Sequence, residues 1–126
     1  MALYWTIDSR RRTVELMADG DVTMADAMGF FDAVEGASAL AYSKLLDGTR
    51  ARAAMTPDDV LSIIVRVRGL HALGTMGALA VVATAEQAQR IARLLGAAAV
   101  ADRPMKVFDD VRPARRWLEA QSPRSP

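Results

Sequence analysis

The chain has 126 residues, 52% hydrophobic and 25% charged, enough for one globular domain with a real core and too little for a second. Sixteen lysines and arginines against fifteen acids leave a formal charge of +1, so no summed field exists to hold nucleic acid or an anionic membrane. The lack of cysteine excludes disulfides, thiolate nucleophiles and Cys-based metal sites, and a single histidine, His71, excludes multi-histidine sites.

The first eight residues lack a basic stretch followed by an apolar one, so no secretory signal is expected and the cytoplasm is the expected location. Residues 3–7 and 13–17 are short runs containing aromatic or β-branched residues, and the polar stretch between them predicts an antiparallel hairpin. Arg10, Arg11 and Arg12 then form a solvated tip. Thr23, with Asp26 three residues on, is a helix cap, and Met24, Ala27, Met28, Phe31 and Val34 repeat at helical spacing as a core stripe. Residues 42–46 read as a third strand ending at Asp47-Gly48-Thr49, with a loop from Asp47 to Thr56.

Thr56-Pro57-Asp58-Asp59 is the strongest local signal in the chain. Thr56 caps, Pro57 suits the first helical position, and the two acids meet the positive end of the helix dipole. Residues 60–68 are rich in β-branched side chains and by propensity alone could be a strand; the explicit cap decides for helix. The uncharged stretch 69–85 is broken by Gly69, Gly74 and Gly77 and falls short of the roughly 20 apolar residues of a membrane span. It reads as a glycine-rich loop holding His71, then a buried strand over 77–83. Thr84 and Gln87 predict a third capping box, followed by a helix burying Ala88, Ile91, Ala92 and Leu95 and ending near Gly96. A last strand covers 105–108. Asp109 or Asp110 then caps a final helix with Val111, Ala114, Trp117 and Leu118 inward and Arg112, Arg115 and Arg116 outward. The expected core includes Phe31, Val81, Phe108 and Trp117. Alternating strands and helices imply an α/β domain over residues 1–121, with a mixed sheet of about five strands, about four helices and a disordered tail at 122–126.

This order resembles the STAS-like proteins, the fold of the bacterial anti-sigma factor antagonists, and more closely the small stand-alone bacterial proteins described as STAS/SEC14-like. Three segments carry the resemblance: Lys44-Leu45-Leu46-Asp47-Gly48-Thr49-Arg50, Thr56-Pro57-Asp58-Asp59, and Val107-Phe108 through Ala114 to Trp117-Leu118. It implies a STAS-like single domain acting by protein interaction. In the antagonists a serine at the start of the helix after the third strand, in an Asp-Ser-Ser-Gly setting, is phosphorylated by a partner kinase. Met55-Thr56-Pro57-Asp58 stands there in this chain, so Thr56 alone carries over as candidate phosphoacceptor.

Asp47, Thr49 and Arg50 fall at the carboxyl end of a strand, where open α/β sheets bind ligands, and with Thr56 they are the candidate binding residues. Each has a plainer reading: an Asp-Gly turn with polar loop residues, and for Thr56 a simple cap whose acidic neighbours would repel phosphate. Gly69, Gly74 and Gly77 precede a strand instead of joining a strand to a helix, which fails the dinucleotide fingerprint. His71 has no acid and serine at motif spacing, so no catalytic residue is assigned. The reading is a non-enzymatic regulatory or protein-interaction module. The alternative is a binder of a small apolar or amphipathic ligand between the sheet and helices carrying Met24, Met28, Phe30 and Phe31. An enzyme using Asp47 with Arg50 ranks last. The expected partner is a protein, a small ligand or a second copy forming a homodimer; no cofactor, metal, nucleic acid or membrane span is expected.

Overall fold

The computed structural model describes residues 2–53, 55–74, 76–98 and 104–121. The elements follow as β1 (Leu3–Asp8), β2 (Thr13–Val22), α1 (Met24–Gly36), β3 (Ser43–Ala53), α2 (Pro57–Leu73), β4 (Leu79–Val82), α3 (Ala85–Ala98), β5 (Met105–Phe108) and α4 (Val111–Gln121). The strands form one sheet in chain order, with β1 antiparallel to β2 and every later pair parallel. The chain is thus an α/β protein with a five-stranded mixed sheet and four helices, as its sequence led us to expect. No described helix is long and apolar enough to cross a membrane. The expected disordered tail at 122–126 lies outside the described residues.

Local chemistry starts each element where the sequence places it. Asp8 Oδ1 accepts from the Arg10 and Arg11 amides and shapes the hairpin tip, where Arg12 adopts a φ of 54°. Arg12 lies over the Tyr42 ring, 5.1 Å from its centroid, so the tip is less free than three solvated arginines would be. Thr23–Asp26, Thr56–Asp59 and Thr84–Gln87 all form reciprocal capping boxes, and Asp110 supplies the acceptor for the Arg112 amide at the start of α4.

Helices α1, α2 and α3 share one face of the sheet and α4 takes the other. On the first face Leu3, Val14, Ala18, Phe30, Val34 and Tyr42 form a core, with Trp5 meeting the Phe30 ring edge-on at 5.5 Å. On the second, Leu45, Ala80 and Val82 pack against Ala114 and Leu118, with Phe108 and Trp117 at the margin, their rings 5.8 Å apart. Of the expected core residues Val81 is fully buried, whereas Phe31, Phe108 and Trp117 are half-buried. Phe30 takes the deep position on α1, because the helix presents its Phe30–Val34 edge, one turn apart, to β1 and β2. Of the row expected to be buried on α3, Ala88 is half-buried beside Gln87 and Ala92 is exposed, a correction at that position, while the side chains of Ile91 and Leu95 lie outside those described.

Element boundaries also move. Helix α2 runs on through Gly69 and His71 to Leu73, absorbing the expected loop, because Leu70 is buried beneath it and holds the last turns in place. Strands β2 and β3 are longer than expected: past Asp47 they pair through Asp19↔Arg50, Gly20↔Ala51, Asp21↔Arg52 and Val22↔Ala53. Residues expected in a loop therefore lie in a strand, held by inter-strand hydrogen bonds that no local pattern announces.

Truncating Trp117 to Ala should cost about 2 kcal/mol, less than for a fully enclosed ring, because the indole loses its Phe108 contact but is half-covered to begin with. Urea denaturation measures this, and a loss under about 0.5 kcal/mol would detach α4 from the packing described. By the same measurement Thr56→Ser should be nearly neutral and Thr56→Val should lose about 1 kcal/mol, since only the hydroxyl can accept from the Asp59 amide.

Candidate functional site

Helix α2 leans on α1 and α3 and stands off the sheet beneath it. Its anchor is Arg66, whose guanidinium donates to Asp32 at 2.9 Å and Glu35 at 3.1 Å and lies 5.9 Å from the Phe31 ring centroid. Hydrogen bonding to Asp32, joined by Glu35, raises the Arg66 pKa above its ordinary value against a lowering by burial, so the clamp is charged at any physiological pH.

Between α2 and the sheet lies a cavity of about 700 Å³. Its walls are apolar: Leu16, Leu46 and Val81 from the sheet, Phe31 from α1, and Ile63, Ile64 and Val67 from α2. That volume falls within the range of pockets that enclose a small organic ligand, roughly 300–1,000 Å³. Side chains that would normally interdigitate with the sheet face open space instead, so an apolar occupant gains burial here without displacing packed groups.

The two ends of the cavity differ. At the inner end stand Leu40, Leu70, Met76, Leu79 and Met105, with two polar residues among them. Lys44, only 6% exposed, donates from Nζ to the Leu40 carbonyl at 2.6 Å and the Tyr42 carbonyl at 2.8 Å. His71, in the last turn of α2, is half-buried with Nε2 enclosed. The exposed residues of the lining, Arg52, Thr84, Glu86 and Arg90, all gather at the other end, where the extension of β3 meets the start of α3. This is the mouth.

A bulge builds that mouth. From Met17↔Asp47 to Asp19↔Arg50, β2 advances two residues while β3 advances three. Asp47 Oδ1 accepts from both the Thr49 amide and the Thr49 hydroxyl, at 3.1 and 2.8 Å, and stabilises the irregular backbone. Gln87 Nε2 donates to the Gly48 and Ala51 carbonyls at 2.9 and 3.2 Å, tying α3 to the bulge.

The four residues singled out from sequence are not brought together. Thr49 lines the cavity near its mouth, and Asp47 lies among residues of a smaller crevice on the opposite face with Tyr4, Met17, Val111 and Arg115. Arg50 reaches Asp19 at 3.9 Å with both side chains largely in water. Thr56 is exposed at the start of α2 and its hydroxyl is engaged by the Asp59 amide. Sequence reasoning placed Arg52 on the expected interaction loop from Asp47 to Thr56 but missed Glu86, Gln87 and Arg90. A capping box announces Gln87, but not its reach to β3. Among the described residues no cluster of three or more histidines and acids could hold a metal ion.

No family model and no curated protein matches the sequence. Solved structures do. An uncharacterised protein of the DUF3478 family with a SpoIIAA-like fold, from Shewanella loihica PV-4, superimposes with a TM-score of 0.61 at 20% identity, covering 93% of this chain and 93% of that one. The anti-sigma factor antagonist SpoIIAA in its unphosphorylated form superimposes with a TM-score of 0.56 at 10% identity, covering 96% of this chain and 99% of that one. At such identities the likeness is one of architecture, and the architecture is the STAS-type, SpoIIAA-like fold that the order of elements and the three quoted segments pointed to.

Proposed function

We propose that the chain is a non-enzymatic regulatory module whose input is a small apolar or amphipathic molecule bound between the sheet and the α1–α3 layer. The cavity of about 700 Å³ under α2 carries this reading. The regulatory part is supported by a fold shared with an anti-sigma factor antagonist. The non-enzymatic part draws on the same fold and on a sequence with no thiol and one histidine. The apolar probe N-phenyl-1-naphthylamine should bind with a rise in fluorescence. Ile64→Trp, which grows a ring from α2 into the cavity, should weaken it tenfold or more while circular dichroism stays unchanged. Equal binding by Ile64→Trp and by a second filling variant, Leu46→Trp, would remove the cavity from the proposal.

A second reading, docking of a protein, is favoured by the outer side of α2. Leu61 and Val65, one turn apart, are 59% and 63% exposed on the helix that follows the β3 extension carrying Arg50. Apolar side chains on both sides of a helix mark an element that gains from a further partner. A protein retained on the chain during purification from its own host, or a second copy of the chain, should bind more weakly to Arg50→Glu, with the denaturation midpoint nearly unchanged. Unaltered affinity would move the surface away from Asp47, Thr49, Arg50 and Thr56.

A further inference from the structure

The mouth of the cavity pairs charges of both signs, whereas the charge at the inner end is that of Lys44, whose Nζ donates to the Leu40 and Tyr42 carbonyls. Its neutral polar groups are committed: the Thr49 hydroxyl donates to Asp47, the Thr84 hydroxyl accepts from the Gln87 amide, and the Gln87 side chain joins Thr84 to the Gly48 and Ala51 carbonyls. Arg52 is held by Asp21 through an Nε hydrogen bond of 3.0 Å, a pair with no net charge. Among the described residues that leaves Glu86 and Arg90, one helical turn apart on α3, both exposed and both on the cavity lining. A carboxylate and a guanidinium at this spacing attract the two ends of a dipolar head together. A head with one charge would be drawn by one of them and repelled by the other.

We infer that the occupant is a single-chain amphiphile whose head carries no net charge, zwitterionic in kind, with the head between Glu86 and Arg90 and the chain running inward toward Met105. The inference rests on the ligand-binding function proposed above and adds the headgroup and its direction. The orientation follows from solvation, because the head keeps water at the open end while the chain meets Leu16, Leu46, Ile63 and Ile64. One chain follows from volume: about 700 Å³ is a space for one small ligand and its head, too small for a diacyl lipid.

The test is calorimetric titration of the full chain with decylphosphocholine, decanoate and decyltrimethylammonium, each below its micelle concentration. Decylphosphocholine should bind at least about threefold tighter than either singly charged compound, a margin suited to exposed charge contacts. Each methylene added to the phosphocholine chain should tighten binding by about fourfold until the inner end is reached. Glu86→Lys should shift preference to decanoate and Arg90→Glu to decyltrimethylammonium; both positions are exposed, so both variants should fold. Vesicles of didecanoylphosphatidylcholine should not retain the protein, which separates a free single-chain ligand from a membrane lipid. A singly charged compound bound tightest by the unaltered chain, a preference unmoved by both substitutions, or retention on the vesicles would each overturn the inference. Binding of the naphthylamine probe without any decyl compound would also overturn it and leave the cavity function standing. Failure of probe and decyl compounds alike would sink that function itself.

Discussion

Strands laid down in chain order impose one constraint from which the rest of the architecture follows. Parallel neighbours need crossovers of one hand, and when each new strand is added on the same side, each crossover helix lands on the same face. Helices α1, α2 and α3 therefore share one side of the sheet, and only α4, which follows the last strand, can cover the other. The middle helix must fit between two neighbours already set by β1 and β5. With Ile63, Ile64, Val65 and Val67 in its body, α2 is tied to α1 through Arg66 and leaves a cavity between itself and the sheet. The opposite face has the reverse shortage, since α4 reaches β3, β4 and β5 and leaves Tyr4 and Met17 largely in water.

The second organising feature is the projection of β2 and β3 beyond the ends of β4 and β5. Val82 and Phe108 end their strands level with Asp47, whereas β3 continues to Ala53. A plain continuation would keep alternate residues on fixed faces. The extra residue at the bulge changes the phase, so that Leu46 and Gly48 before it and Thr49 and Ala51 after it all border the cavity. Without that phase change Arg50 would have taken the place of Thr49 or Ala51. Gln87 joins this irregular segment to the first turn of α3, so the width of the mouth is fixed by backbone contacts at both sides.

What the sequence made legible is what short-range chemistry decides. Thr23, Thr56 and Thr84 each lie three residues before a side chain that completes a capping box, and in each case the hydroxyl and the later amide meet. The hairpin was readable for the same reason, since Asp8 reaches amides two and three residues on. The extended pairing of Arg50, Ala51 and Arg52 was hidden because its partners, Asp19, Gly20 and Asp21, lie 31 residues away in sequence and carry turn-forming character of their own. Gly69 and Gly74 suggested a loop, but burial of Leu70 outweighs the helix penalty of one glycine. Helical spacing on α1 put Phe31 in the core stripe, and β1 with Trp5 selects Phe30 instead. The cavity had no linear signature: its lining comes from all five strands and from three helices whose separation is a property of the assembled layer.

Gly77 shows how such an architecture tolerates change. A β-carbon at this position would lie 2.2 Å from the Tyr42 carbonyl oxygen, and backbone cannot swing aside as a side chain does. The glycine amide also donates to the Leu40 carbonyl at 2.9 Å, sealing the turn before β3 against the approach to β4. Position 77 thus has an alphabet of one letter, while Leu46, Ile63 or Val67 can trade among apolar residues of similar volume. Substitution is consequently metered unevenly along the chain: a few steric checkpoints hold the geometry and long stretches drift. Folds governed in this way stay superimposable while most of their letters are replaced, and the 20% and 10% identities to the two similar structures are what that regime produces.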